Sequence, residues 1–250
     1  MIRHAKIFTS FFGLLALLWP ITAAAKTPHH SNFRPRPYRS LTKSSSAQSL
    51  REQKGKFRDL VAGKEVGSEE FEISSSSAGW LARGNATVKS ANGPETRITS
   101  QLQLAAGGDP IHYEWSTVTG AKKAAASVDF SGGTATIHLQ VNGSQPYTQQ
   151  FFFKTPNIVI LDDNLYYQYA ILAELYDWSK KGLQTFPVLI PQEMTPGTIT
   201  AEALDPENVN GKSLDRLRVR SQDLEIILYL DGNRLEKISV PTANAEIIRQ

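Results

Sequence analysis

Three small sets of side chains in this sequence have the type and spacing to do chemistry. His112 and Glu114 stand two apart, so a strand would put both on one face, and His138 lies further along. Imidazole and carboxylate ligands of this kind are what an open zinc site uses, but no fixed His-rich spacing enforces one, so no metal is assigned. Arg216, Arg218 and Arg220 also alternate. Guanidinium groups in a row match carboxylate or phosphate. Glu202, Glu225 and Glu236 on neighbouring segments offer them partners across a sheet instead, which is the expected arrangement. The third set is aromatic. Tyr166, Tyr169, Leu172, Tyr176 and Trp178, preceded by Phe151 and Phe153, form an apolar group with polar tips, suited to the wall and rim of a pocket for an apolar or amphipathic molecule.

Catalytic signatures do not accompany these sets. The sequence contains no Gly-x-Ser-x-Gly elbow and no HExxH. Gly211-Lys212-Ser213 has the ending of a phosphate loop, yet Pro206 stands where its first glycine should be. Asp205, Glu207 and Asp215 fall around an expected loop, where carboxylates are solvated. With no cysteine there is no disulfide, no thiolate catalysis and no Cys-ligated zinc. The reading is a protein that is not an enzyme and needs no cofactor.

The elements that position these residues follow from periodicity. From Phe57 onward apolar and polar residues alternate, as in Ile98 to Leu104, in Ile111 to Ser116 and in Thr134 to Val141. Such runs are half-buried strands, and Asn92-Gly93, Gly132-Gly133, Asn142-Gly143 and Asp231-Gly232-Asn233 are turns between them. Further strands are expected at Thr185 to Ile190, Gly197 to Glu202, Leu214 to Arg220, Asp223 to Leu230, Arg234 to Val240 and Glu246 to Arg249. One segment changes period: Leu165, Tyr169, Leu172 and Tyr176 are spaced four, three and four, the stripe of an amphipathic helix over 163–180. Asp162-Asp163 would cap its start, with Lys180, Lys181 and Gly182 at its end. The fold class is therefore mainly β: one large curved antiparallel sheet, a half barrel of about a dozen strands, wrapped around a single helix.

The chain divides into three parts. Residues 1–25 carry Arg3 and Lys6, an apolar run from Ile7 to Trp19, and the small residues Ala23-Ala24-Ala25, as in a cleavable signal peptide. The run is too short for a spanning helix, and no second apolar run of that kind follows, so no transmembrane segment is expected once the signal is removed. Residues 26–56 hold eight Lys or Arg against one Glu, with three prolines and a serine run, and read as a flexible basic linker. Residues 57–250 hold 17 basic and 23 acidic side chains and form the single β domain. The formal charge of +3 thus comes from outside the domain, which argues against nucleic acid as a partner. The expected location is outside the cytoplasm, periplasmic or extracellular.

Two strings carry a resemblance. Tyr169 to Trp178 followed by Phe186-Pro187-Val188-Leu189-Ile190-Pro191, and the ending Arg234 to Pro241 with Ala245 to Arg249, resemble a group of uncharacterised exported bacterial β-proteins over most of 57–250. The resemblance implies a shape similar to the lipoprotein-carrier (LolA/LolB-like) half barrel, in which acyl chains lie between sheet and helix. Two functions remain open. One is a cell-envelope binding or carrier module for an apolar or amphipathic small molecule or lipid, held by the aromatic set above. The other is a structural or interaction protein with a filled core, meeting an envelope protein through an open edge strand or an exposed apolar patch.

Overall fold

The computed structural model describes residues 50–90 and 93–250; the predicted signal, most of the predicted linker and Asn92 lie outside them. Alternation resolves into fifteen strands. They are β1 (Gln53–Val61), β2 (Lys64–Ser76), β3 (Gly79–Val88), β4 (Thr96–Ala105), β5 (Pro110–Thr119), β6 (Lys122–Ser131), β7 (Thr134–Val141) and β8 (Tyr147–Phe152) in the first half. In the second half are β9 (Val159–Ile160), β10 (Gln184–Ile190), β11 (Thr195–Val209), β12 (Lys212–Arg220), β13 (Glu225–Asp231), β14 (Arg234–Val240) and β15 (Ala245–Arg249). Among the described residues a single α-helix, α1 (Tyr167–Leu175), lies between β9 and β10.

All fifteen strands form one sheet, in the order β8-β7-β6-β5-β4-β3-β2-β1-β15-β14-β13-β12-β11-β10-β9. β1–β8 and β10–β15 are each a meander of antiparallel neighbours, and the two are zipped together where β1 pairs with β15. The chain connectivity forces this sheet to curl. Laid flat, fourteen interstrand steps would separate β8 from β9 by roughly 67 Å. Only residues 153–158 join them, and so short a segment reaches at most about 25 Å. The edges must therefore come round toward each other.

The helix follows from the same connectivity. β9 and β10 are the one parallel pair among the described strands. A parallel pair needs a crossover over one face of the sheet, and α1 is that crossover, carried inside the curl. This changes two expectations. The helix is nine residues, not the span 163–180, and it is not amphipathic: Tyr167, Gln168, Ala170, Ile171, Leu172, Ala173 and Glu174 are all buried, whereas Tyr169 of the predicted stripe is only half-buried. A helix packed on every side needs apolar residues on every side.

Other boundaries also move. Leu50 is buried and Gln53 to Lys56 belong to β1, so the sheet starts inside the predicted linker. β11 runs on through Asp205, Pro206 and Glu207, with a register shift that accommodates the proline, where a loop was expected. Asn210 and Gly211, at φ 52° and 82°, make a two-residue hairpin turn, so Gly211-Lys212-Ser213 runs from that turn into the start of β12 and is not a phosphate loop. Among the described residues no helix is long and apolar enough to cross a membrane.

Candidate functional site

Three members of the set expected to wall a pocket are used in the core. Tyr166 is 6 % exposed, and Leu172 and Tyr176 are 0 % exposed. The Tyr176 hydroxyl donates to the Gly182 carbonyl (2.8 Å) and accepts from the Ala203 N–H (3.0 Å), tying the helix exit to β11. Trp178 packs edge-on against Tyr176 and donates its indole N–H to the Ala173 carbonyl at 2.9 Å. Phe151 and Phe153 do not join them there. Phe151 belongs to the edge strand β8 and Phe153 directly follows it, and both are half-buried.

What converges under the helix is a set of acids. The residue before α1, Tyr166, offers no side-chain cap, and neither Asp162 nor Asp163 supplies one. The cap comes from the sheet instead. Glu69 of β2 accepts the N–H groups of Tyr166 (2.9 Å) and Tyr167 (3.1 Å) on Oε2, placing a carboxyl oxygen at the positive end of the helix. Its Oε1 is buried without a partner, as is Oδ1 of Asp59, on the inner face of β1. Burial, reinforced by Asp59, holds the Glu69 carboxyl well above the usual carboxylate range. Burial, with Glu65 adding to it, pushes Asp59 up to about 7.

Two glycines make room for this pair. A methyl group on Gly67 would lie 2.6 Å from Oδ2 of Asp59. One on Gly84 would lie 2.6 Å from the Tyr167 ring and 2.9 Å from Oε1 of Glu69. Tyr167 itself extends a stack in which Phe71 lies between it and Phe57, with centroids 6.5 and 5.1 Å apart, and its hydroxyl accepts from Ser100 Oγ at 3.1 Å.

A second knot sits beside the first. Tyr113 of β5 donates to Asp162 (2.6 Å) and accepts from the Gln168 amide (3.3 Å), while Gln168 accepts the Asp162 N–H and the Gln192 N–H reaches the other oxygen of Asp162. Burial pushes Asp162 up to about 7; burial, then Glu193 and Asp162, pushes Asp163 up to about 8. At the helix tail Glu174, raised to about 7 by burial, accepts from the Arg51 N–H and the Gln53 amide. Glu69, Asp162 and Glu174 thus fasten the helix and its flanks to the surrounding strands.

Parity could have found Glu69 and Asp59. Glu69 shares its face with Phe71 and Ile73, and Asp59 shares its face with Phe57, so alternation already pointed both acids inward. Nothing local could have paired Glu69 with a helix start 97 residues away.

The other two sets lie on the outer face. His112 bridges Asp129 (2.7 Å) and Glu114 (3.1 Å), while His138 bonds Thr148 (2.9 Å), so the trio does not converge. Among the described residues no group of three His, Asp or Glu is placed to hold a metal ion. The arginines pair as ladders: Arg216 with Glu207, Arg218 with Glu202 and Arg220 with Glu225, whereas Glu236 pairs with Arg234. Arg218→Ala is expected to cost no more than about 1 kcal/mol in urea unfolding, because such partly exposed pairs contribute little. An open trough of about 620 Å³ crosses the outer face, bordered by Arg83, Thr99, Glu114, Ser127, His138 and Gln140.

One feature is left without a partner in the fold. β8 is an end strand, and among the described residues nothing pairs with its outer side. It carries no charge from Tyr147 to Phe152, and its ends present Tyr147 (50 % exposed) and Phe152 (78 %). The opposite end strand, β9, is two residues long and buried.

A single curled sheet around a buried helix defines a β-barrel-like protein. Among solved structures the chain is similar to a β-barrel-like protein of the domain of unknown function DUF1849 from Brucella abortus, at 10% identity and a TM-score of 0.55, covering 80% of this chain and 94% of that one. A DUF1089 family protein from Pseudomonas aeruginosa aligns at 9% identity and a TM-score of 0.43, covering 84% and 97% of the two chains. The first likeness is one of fold, and neither description carries an activity. No protein-family model and no curated protein matches the chain.

Proposed function

We propose that the chain is an exported cell-envelope interaction protein, which presents a sheet edge to a partner and does no chemistry of its own. The observation that carries this reading is β8, an uncharged edge with exposed aromatic ends that no other strand pairs among the described residues. Edges of that kind are normally blunted by charge, proline or a covering element, because they add further strands readily. The apolar run from Ile7 to Trp19 followed by small residues supports export. We prefer this to the carrier alternative because Tyr166, Leu172 and Tyr176, three of its proposed wall residues, pack in the core.

Two measurements test this. A photocrosslinking residue at Thr148 in living cells is expected to give adducts that Gln150→Lys removes, because a charge at the edge opposes strand addition. Adducts absent from the wild type, or indifferent to that change, would overturn the reading. Native mass spectrometry of the protein purified without detergent is expected to show only whole multiples of the chain's own mass, with no bound small molecule. A reproducible extra mass released by solvent extraction would restore the carrier.

A further inference from the structure

We infer that the partner at β8 is a second copy of this chain, joined edge to edge by antiparallel pairing about a two-fold axis at Gln150. This rests on β8 being the interaction edge, and it is argued from the edge itself.

The Phe153 N–H donates to the Gly133 carbonyl at 2.8 Å, and β8 pairs with β7 in antiparallel register. In such a ladder a residue directs its N–H and C=O to the same side, and successive residues alternate. Tyr147, Gln149 and Phe151 therefore bond to β7, leaving Thr148, Gln150 and Phe152 with both groups directed outward. One antiparallel register matches all of them. It sets Gln150 against Gln150 of the other copy and Thr148 against Phe152, so that every outward N–H finds a carbonyl.

The side chains fit that register. On the inner face it brings Tyr147 to the other copy's Phe153, and Gln149 to its Phe151. On the outer face Phe152, the most exposed large apolar side chain described, is covered by Thr148. No charge lies from Tyr147 to Phe152, so like charges do not oppose each other when the strand meets itself.

The other edge decides the symmetry. Adding β8 of one copy to β9 of the next would propagate without closing, but β9 is two buried residues and offers no ladder. β8 has only β8 to meet, and the assembly closes as a dimer. The trough near β7 and β8, bordered by His138 and Gln140, would then be continued by its symmetry mate.

The test uses the full chain, exported with its own leader and purified without detergent. Sedimentation velocity is expected to show a dimer, and Gln150→Lys a monomer with unchanged circular dichroism, since it sets two cations face to face. The chain has no cysteine, so Gln150→Cys introduces a single thiol at the proposed axis. Directly opposed residues lie about 5.5 Å apart, within disulfide range. Mild oxidation should convert Gln150→Cys largely to a covalent dimer, and Thr242→Cys, exposed outside β8, should not follow. A monomer at all concentrations with no Gln150→Cys cross-link would overturn the dimer. If such a monomer still gave Gln150→Lys-sensitive adducts in cells, the edge would serve a different protein and the proposed function would stand. If the adducts were absent as well, both would fall.

Discussion

Raising the pH from about 5 to about 9 is expected to destabilise this protein, the reverse of ordinary acid unfolding. The acids at the helix carry the effect. Asp59 and Asp162 are held at about 7, Asp163 at about 8, and Glu69 well above the carboxylate range, each with burial as the main cause. In the unfolded chain they return to ordinary carboxylate values near 4. A raised folded pKa means that the native state holds the proton more tightly. Its contribution is complete below the unfolded pKa and is lost as the pH climbs through 7 to 8. Three units on one group correspond to about 4 kcal/mol, a large share of a typical domain's stability. Half-buried carboxylates paired with lysine, such as Asp177 and Asp231, are shifted downward, so their opposite contribution is confined to a more acidic window. Thermal or urea midpoints across this range check the expectation. Asp59→Asn and Glu69→Gln should flatten the profile, since the first removes a titrating group and the second keeps an oxygen to cap the helix. A midpoint that rises toward pH 9 would show the pair to be ionised and compensated.

The largest single-site loss is expected at Tyr167, the one residue that joins stack, cap and hydroxyl bond. Tyr167→Ala should cost about 3–5 kcal/mol in urea unfolding, the range for truncating a buried aromatic. Tyr167→Phe, which keeps the stack on Phe71 and gives up only the Ser100 bond, should cost about 1 kcal/mol. Gly84→Ala offers a cross-check, because its methyl group would press on the same ring. Overpacking of that kind costs about 1–3 kcal/mol, and Tyr167→Ala should relieve it, making the two changes non-additive. Full additivity would mean that ring and glycine are not in contact.

These two expectations divide what can be read along the chain from what cannot. Strand positions and inward faces were legible because alternation is a local property. Ile98, Leu102 and Tyr113 face inward as their spacing requires, and so do Glu69 and Asp59. The existence of one helix after Asp163 was legible for the same reason. Its length and full burial were not, since they depend on a crossover between β9 and β10 and on a curl that only the closing connection imposes. Edge status was equally hidden. Phe151, Phe152 and Phe153 look like core residues in sequence, and only the strand order puts β8 last and leaves it uncovered.

Period and composition act within a few residues, and they were enough to specify a cysteine-free β protein of alternating strands with one helical segment. Which acid caps the helix, which aromatics fill the core and which strand stays open among the described residues became visible only in the fold. Each of those is a contact between segments far apart in the chain, and sequence spacing carries no record of it.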